Sequence, residues 1–125
     1  MSQAISVGTD LIDVARIKKL VRRKSFLERI FTPEEAAYCK GKQNAAQHFA
    51  VRFAAKEAVW KAFASQTGLK GISHREIGVK RAPNGQPSVA LSRRLKKHEK
   101  YFSLSLSHTK EYALAVAIYN VDKNS

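Results

Sequence analysis

Apolar and polar positions alternate from residue 4 to 11, with Ile5, Val7, Thr9 and Leu11 on one side, and that period of two predicts a strand. Ile17, Leu20 and Val21 then recur at helical spacing. A helix is expected from about Val14 to Arg23, capped by Asp10 or Asp13. Thr32-Pro33-Glu34-Glu35 reads as a second helix start, with Thr as N-cap, proline in the first turn and glutamate three residues after the threonine. This helix should run to Lys40 and stop at Gly41. The longest helix is expected from about Gln43 to Ala64, rich in alanine and free of proline. Phe49, Phe53, Trp60 and Phe63 share one stripe of it, and Ala50, Ala54, Glu57 and Lys61 fall on the next face round. Apolar residues so cover much of the circumference, which predicts a central, buried helix. Thr67-Gly68 to Gly71 should form the loop that ends it.

The last third returns to strand patterning. Ile77 to Lys80 and Ser88 to Leu91 read as strands around an Asn84-Gly85 turn. Ser92 is expected to cap a short basic helix to Lys100. Phe102, Leu104 and Leu106 alternate with Ser103, Ser105 and Ser107, a half-buried strand, and Tyr112 to Tyr119 is a near-continuous apolar one. The expected fold class is α+β, a largely antiparallel sheet packed on the long helix, in a single domain spanning 1–125. The apolar run at Tyr112 to Tyr119 is far short of the ~20 residues that span a bilayer. No basic segment leads into an apolar one at the N-terminus, so no signal peptide is expected. Cys39 is the one cysteine, which excludes an internal disulfide and a multi-cysteine zinc site and points to a cytosolic, reduced protein. It is expected to pack rather than react.

Charge adds a partner class. Twenty-three Lys and Arg against ten Asp and Glu give +13, a surface that attracts polyanions. Nucleic acid, phosphorylated small molecules and acidic proteins all qualify. The aromatics repeat at core spacing rather than as a stacking platform, and the usual RNA-binding motifs are missing, so nucleic acid is not the expected partner. No P-loop, Rossmann glycine pattern or Gly-x-Ser-x-Gly elbow is present.

Candidate chemistry gathers on few residues. Glu57 and Lys61 are one helical turn apart beside small alanines; the bland reading is an i,i+4 ion pair, the functional one a charged site on an otherwise apolar helix. Lys56 either snorkels out of the aromatic stripe or points into a cavity holding an anion, and Arg52 lies one turn before it. Asp10 caps a helix or ligates a hard cation. One aspartate and one glutamate suit magnesium, which often takes one or two protein carboxylates and fills its remaining positions with phosphate and water. His108, after Ser105 and Ser107, is a general base, a phosphate donor or a polar strand end.

These pieces together resemble the small holo-acyl-carrier-protein synthases of the phosphopantetheinyl transferase superfamily. The blocks that carry the resemblance are Val7-Gly8-Thr9-Asp10-Leu11-Ile12 with Arg16, then Arg29-Ile30-Phe31-Thr32 with Glu34-Glu35, then Arg52-Phe53-Ala54-Ala55-Lys56-Glu57-Ala58 with Lys61-Ala62. Asn84-Gly85-Gln86-Pro87 and Ser105-Leu106-Ser107-His108-Thr109 follow in the family's order. Ser6 stands where many members have glycine, and Trp60 is bulky for its position. The resemblance implies transfer of 4′-phosphopantetheine from coenzyme A to a serine of an acyl carrier protein, in support of fatty acid biosynthesis. It implies Asp10 and Glu57 as magnesium ligands, and Lys61 as positive charge at the bridging region or a leaving-group aid. Lys56 and Arg52 would bind phosphate, and Glu57 or a metal-bound water would take the serine proton. It further implies Asn84, Gly85 and Pro87 against the adenine and ribose, and His108 with Ser107 and Thr109 at the 3′-phosphate. Arg16 and Arg23 would dock the acidic carrier, with Lys19, Arg22 and Lys24 secondary, and a homotrimer is implied.

Overall fold

The computed structural model describes residues 5–122. Strand β1, Ile5–Asp13, leads directly into helix α1, Val14–Leu20. Asp13 is the cap: its carboxylate accepts from the backbone N–H of Ala15 at 2.9 Å and of Arg16 at 3.4 Å. The choice between Asp10 and Asp13 is thereby settled, and Asp10 is left for other work. Helix α1 ends three residues earlier than its apolar stripe suggested. A separate short helix, α2, Lys24–Ile30, follows and buries Phe26 and Ile30. The sequence reading missed α2, because Arg23 at its N-cap makes no side-chain bond and its inner side is marked by only Phe26, Leu27 and Ile30 over a seven-residue span.

Helix α3, Pro33–Lys40, has the expected capping box between Thr32 and Glu35 and stops at Gly41. Helix α4, Ala45–Thr67, is the central element, and eleven of its residues are buried. Gly68 terminates it at φ +68°, where a side chain would be strained. Phe49, Phe53 and Phe63 are buried as their stripe predicts, but Trp60 is 41% exposed. The stripe is interrupted at Trp60 alone, since Phe63, one turn further on, is again fully buried. The bulk of Trp60 therefore costs the core nothing.

Three antiparallel strands lie along α4 in the order β1-β5-β4, where β4 is Phe102–His108 and β5 is Tyr112–Asn120. The residues that face the helix are small: Ala113, Ala115 and Ala117 are fully buried, and Ser6 and Gly8 lie on the inner face of β1. Gly8 is obligatory, since a Cβ there would sit 1.9 Å from the carbonyl oxygen of Ala58. Ser6 donates its hydroxyl to the carbonyl of Ala62 at 2.7 Å, so its departure from glycine is accommodated by a bond. The opposite face of the same sheet is apolar and open: Ile5 is 51%, Val7 55% and Leu11 65% exposed, beside Leu114 and Ile118.

A second antiparallel pair, β2 (Ile77–Arg81) and β3 (Pro87–Leu91), flanks α4. Its connection runs over 82–86, with Gly85 at φ +85° and Asn84 accepting from the N–H of Gln86. The basic segment Arg93–Tyr101 is a 3-10 helix rather than an α-helix. Ser92 does not cap it through its side chain; its hydroxyl bonds Glu76 instead.

Candidate active site

Close approach of β1 to α4 at Gly8 sets the next inward residue, Asp10, over the second half of the helix. Lys61 reaches across, donating to the carbonyl of Thr9 at 3.0 Å and to Asp10 Oδ1 at 3.3 Å. The i,i+4 pair with Glu57 is thus replaced by a bridge from helix to strand. Glu57 instead faces His74, with Nε2 3.6 Å from its carboxylate. Burial raises the pKa of the Asp10 carboxyl; Lys61 opposes that shift, Glu57 reinforces it and Arg16 opposes it. Asp10 on β1 therefore feels the charges of Glu57 and Lys61 on α4 and of Arg16 on α1.

Asp10 Oδ2 is buried and has no hydrogen-bond partner. A buried carboxylate oxygen without a donor is costly unless something positive meets it. The neighbouring Glu57 carboxylate adds a second hard oxygen donor, so the pair fits magnesium. No group of three His, Cys, Asp or Glu among the described residues could hold a metal ion. A cation here would need its remaining ligands from phosphate and water.

Lys56 requires a correction. It is completely buried, and its ammonium donates to Glu35 Oε1 at 2.9 Å, to the carbonyl of His74 at 2.9 Å and to that of Ile77 at 2.5 Å. All three protons are engaged, so none remains for a phosphate. It neither snorkels nor faces an anion cavity. It ties α4 to α3 and to the turn before β2. Burial pulls its pKa down, and Glu35 resists.

A second cluster lies on another side of α4. Arg52 and Lys42 each place their charge 4.5 Å from the Tyr38 ring centre, and His48 meets that ring edge-on. The His48 pKa is lowered by burial, then by Arg52, Lys42, His108 and Arg81. Four cationic or titratable side chains from α4, the α3–α4 turn, β2 and β4 thus bear on one histidine. Arg81 also donates to the Gly85 carbonyl at 2.8 Å, which ties the Asn84-Gly85-Pro87 connection to this group. His108 and Ser107 are exposed at the end of β4. The Thr109 hydroxyl accepts from the N–H of Glu111 and Tyr112 and holds the hairpin. Sequence reasoning found Arg52 and His108 here but not Lys42, His48, Arg81 or Tyr38. The i,i+4 spacing of His48 and Arg52 was the available signal.

Arg52 and Glu57 stand about 140° apart around a helix of 3.6 residues per turn. The predicted site residues accordingly fall into two groups that face different ways: a carboxylate pair with Lys61, and a cationic group joined by the 84–87 connection. Arg16 and Arg23 are exposed on the α1–α2 segment, Arg16 beside the first group. A cleft of about 920 Å³ belongs to neither; it lies between α1, the start of α4 and the tip of the β4–β5 hairpin, with Lys18, Arg22, Lys40 and Lys110 among its lining. Cys39 is buried, and burial pushes its thiol up to about 11, which suits packing.

An α+β chain with hard oxygen donors and a lysine on one side of its central helix, and gathered cations on another, is of the class that handles phosphorylated ligands. The family model for the 4′-phosphopantetheinyl transferase superfamily matches residues 6–117, and the chain belongs to that family of transferases. It is 42% identical to the holo-(acyl-carrier-protein) synthase of Caldanaerobacter subterraneus subsp. tengcongensis, over 97% of this chain and 98% of that one. Among solved structures it is similar to the Helicobacter pylori holo-(acyl-carrier-protein) synthase in complex with coenzyme A, at 34% identity and a TM-score of 0.71, covering 89% of this chain and 96% of the other. The Bacillus anthracis enzyme in complex with coenzyme A (3′,5′-ADP) aligns at 32% identity and a TM-score of 0.71, over 92% and 95%.

Proposed function

We propose that this chain is a magnesium-dependent enzyme that transfers 4′-phosphopantetheine from coenzyme A to a serine of apo-acyl carrier protein. The products are the holo-carrier, for fatty acid biosynthesis, and adenosine 3′,5′-bisphosphate. The observation that carries the reading is Asp10, whose Oδ1 is bridged to Lys61 while its buried Oδ2 has no partner, within Coulombic reach of Glu57.

Asp10 and Glu57 would hold magnesium, which when bound neutralises charge on the pyrophosphate and orients the phosphoryl group. The serine Oγ of the carrier forms a bond to the phosphorus that bears the pantetheine. The bond from that phosphorus to the bridging oxygen breaks, and its electron pair leaves on the adenosine bisphosphate. Lys61 answers the charge that develops at that oxygen. The serine proton passes to Glu57 or to water. Arg52, Asn84, Gly85, Pro87, Ser107, His108 and Thr109 contact coenzyme A, with Lys42, His48 and Arg81 added to the phosphate end. Arg16 and Arg23 dock the acidic carrier, chiefly by speeding encounter.

A homotrimer is part of the proposal. The open apolar face of β1 and β5 supports it, being the kind of surface that a second copy covers. The division of the site residues around α4 supports it too, since a single coenzyme A could join one group of one copy to the other group of its neighbour. We read 1–125 as one domain working in the cytoplasm; among the described residues no helix is long and apolar enough to cross a membrane.

The test is mass spectrometry of an apo-acyl carrier protein incubated with coenzyme A and the purified chain, with and without magnesium. Gain of one phosphopantetheine only when the metal is present is the expected result. A folded chain that modifies no carrier would overturn the proposal.

A further inference from the structure

The turn before β2 is held more firmly than a connection needs to be. Ser73 and Glu76 form a capping box around His74–Glu76. Glu76 is gripped by Arg94 at 2.6 Å and by the Ser92 hydroxyl at 2.8 Å. The carbonyl of His74 itself accepts from the buried Lys56 ammonium. Three separate attachments thus fix the backbone from which one imidazole projects. Its ring is stacked on Phe53, with centroids 6.0 Å apart and planes 11° from parallel. Its Nε2 lies 3.6 Å from the Glu57 carboxylate. Among the described residues, the buried side-chain polar atoms without a hydrogen-bond partner are this Nε2 and Asp10 Oδ2. They belong to the two groups that bear on Glu57, one through the turn and one through β1.

We propose that His74 is a positioning residue for Glu57: held by the turn and stacked on Phe53, it presents Nε2–H as the donor that keeps the Glu57 carboxylate directed toward Asp10. This deepens the proposed function and rests on the metal-ligand reading of Glu57. At 3.6 Å the contact is longer than a direct hydrogen bond, so Nε2–H and the carboxylate interact chiefly through their charges in this structure. The reason for a donor at this point is physical. Glu57 projects from a helix toward a like charge on Asp10, which repels it. A fixed donor beside it stabilises the carboxylate's charge against that repulsion and removes rotamer freedom that binding would otherwise have to remove. Ring stacking and the Nε2 donor are separable roles, and two substitutions separate them. His74→Phe retains a ring over Phe53 and loses the donor. His74→Gln loses the ring and carries an amide nitrogen at a similar reach.

Both variants of the full chain are compared with the parent in two measurements. One is calorimetric titration of magnesium chloride into the chain with coenzyme A and no carrier. The other is steady-state transfer with separate kcat and KM for the carrier. With His74→Phe, magnesium affinity and kcat are expected to fall by about 10–100-fold, the usual loss when an outer partner of a ligand is removed. KM for the carrier should stay the same, and His74→Gln should restore most of both losses. Unchanged magnesium affinity and kcat in a folded His74→Phe chain would overturn the proposal. So would a folded His74→Gln chain as impaired as the phenylalanine one, because the ring would then be what matters. If His74→Phe does not fold, His74→Gln decides alone: parental magnesium affinity supports the donor, and its loss overturns it. A parent chain that binds magnesium but transfers nothing sinks the proposed function, and calorimetry still judges His74. A parent that binds no magnesium overturns both.

Discussion

Replacing Lys56 by methionine separates the two roles this lysine can have. The substitution keeps the length and apolar stem of the side chain and removes its ammonium. Three acceptors then lose their donor: Glu35 Oε1 and the carbonyls of His74 and Ile77. Loss of one member of a buried ion pair costs about 3–5 kcal/mol. Each carbonyl left without a partner would cost about 1–3 kcal/mol if it found no water. Two features pull the total toward the lower figure. The Glu35 side chain is 18% exposed, and its Oε1 still accepts from the N–H of Thr32 at 2.9 Å. The expected loss is therefore about 3–4 kcal/mol, a fall in Tm of roughly 12–16 °C for a chain of this size. Urea denaturation with a Glu35→Gln partner in a double-mutant cycle measures it, and the pair should couple strongly. A loss under about 1 kcal/mol would refute the buried tie. If Lys56→Met kept its stability while coenzyme A affinity dropped tenfold or more, Lys56 would be the phosphate ligand that its sequence block suggests, and the assignment made from its three bonds would be wrong.

Other expectations bear on the site, the charge and the surface. Asp10→Asn should leave stability within about 1 kcal/mol, because the burial cost and the exposed Lys61 contact that it removes oppose each other; transfer should fall by more than the roughly 100-fold that loss of an outer partner costs. Glu76 is held at about 2, below its ordinary 4.5, mainly by its bonds to Arg94. Its contribution is therefore complete above pH 4.5 and is lost as pH falls toward 2, so the stability gap between the parent and Glu76→Gln should shrink across that window and stay constant above it. Arg16→Glu combined with Arg23→Glu should raise KM for the carrier, most at low salt, and leave coenzyme A affinity unchanged; an unaltered KM would remove α1 from the docking surface. Leu11→Asp, on the open sheet face, should reduce the assembly to smaller species by light scattering, whereas an unchanged mass would place the interface elsewhere.

Much of this was legible because local signals and packing agreed. The capping box at Thr32 and Glu35, the stop at Gly41 and the strand alternation from Phe102 to Ser107 all have the geometry their residues predict. Signals failed where the deciding partner is distant in sequence. Lys56 has the spacing of a core residue and the charge of a surface one. Only the fold reveals that Glu35, twenty-one residues upstream, and two carbonyls downstream receive it. Trp60 fits the aromatic stripe by angle, yet is 41% exposed between the buried Phe53 and Phe63. Glu57 and Lys61 look like partners at i,i+4 and are not, because β1 offers Lys61 a carboxylate and a carbonyl, and His74 meets Glu57 from a turn with no periodicity to read.

The contact at Gly8 has a consequence for how such a chain can change over time. Strand and helix touch backbone to backbone at Gly8 and Ala58, and three buried alanines continue the contact on β5. The separation between Asp10 and the helix is therefore set by atoms that carry no charge. Steric fit builds the seat, and the carboxylates merely occupy it. A descendant that lost either carboxylate would keep its shape and its cationic group around His48. On the proposed roles, catalysis in this architecture can be shed in one step with the fold retained, while the reverse route back to an enzyme stays equally short.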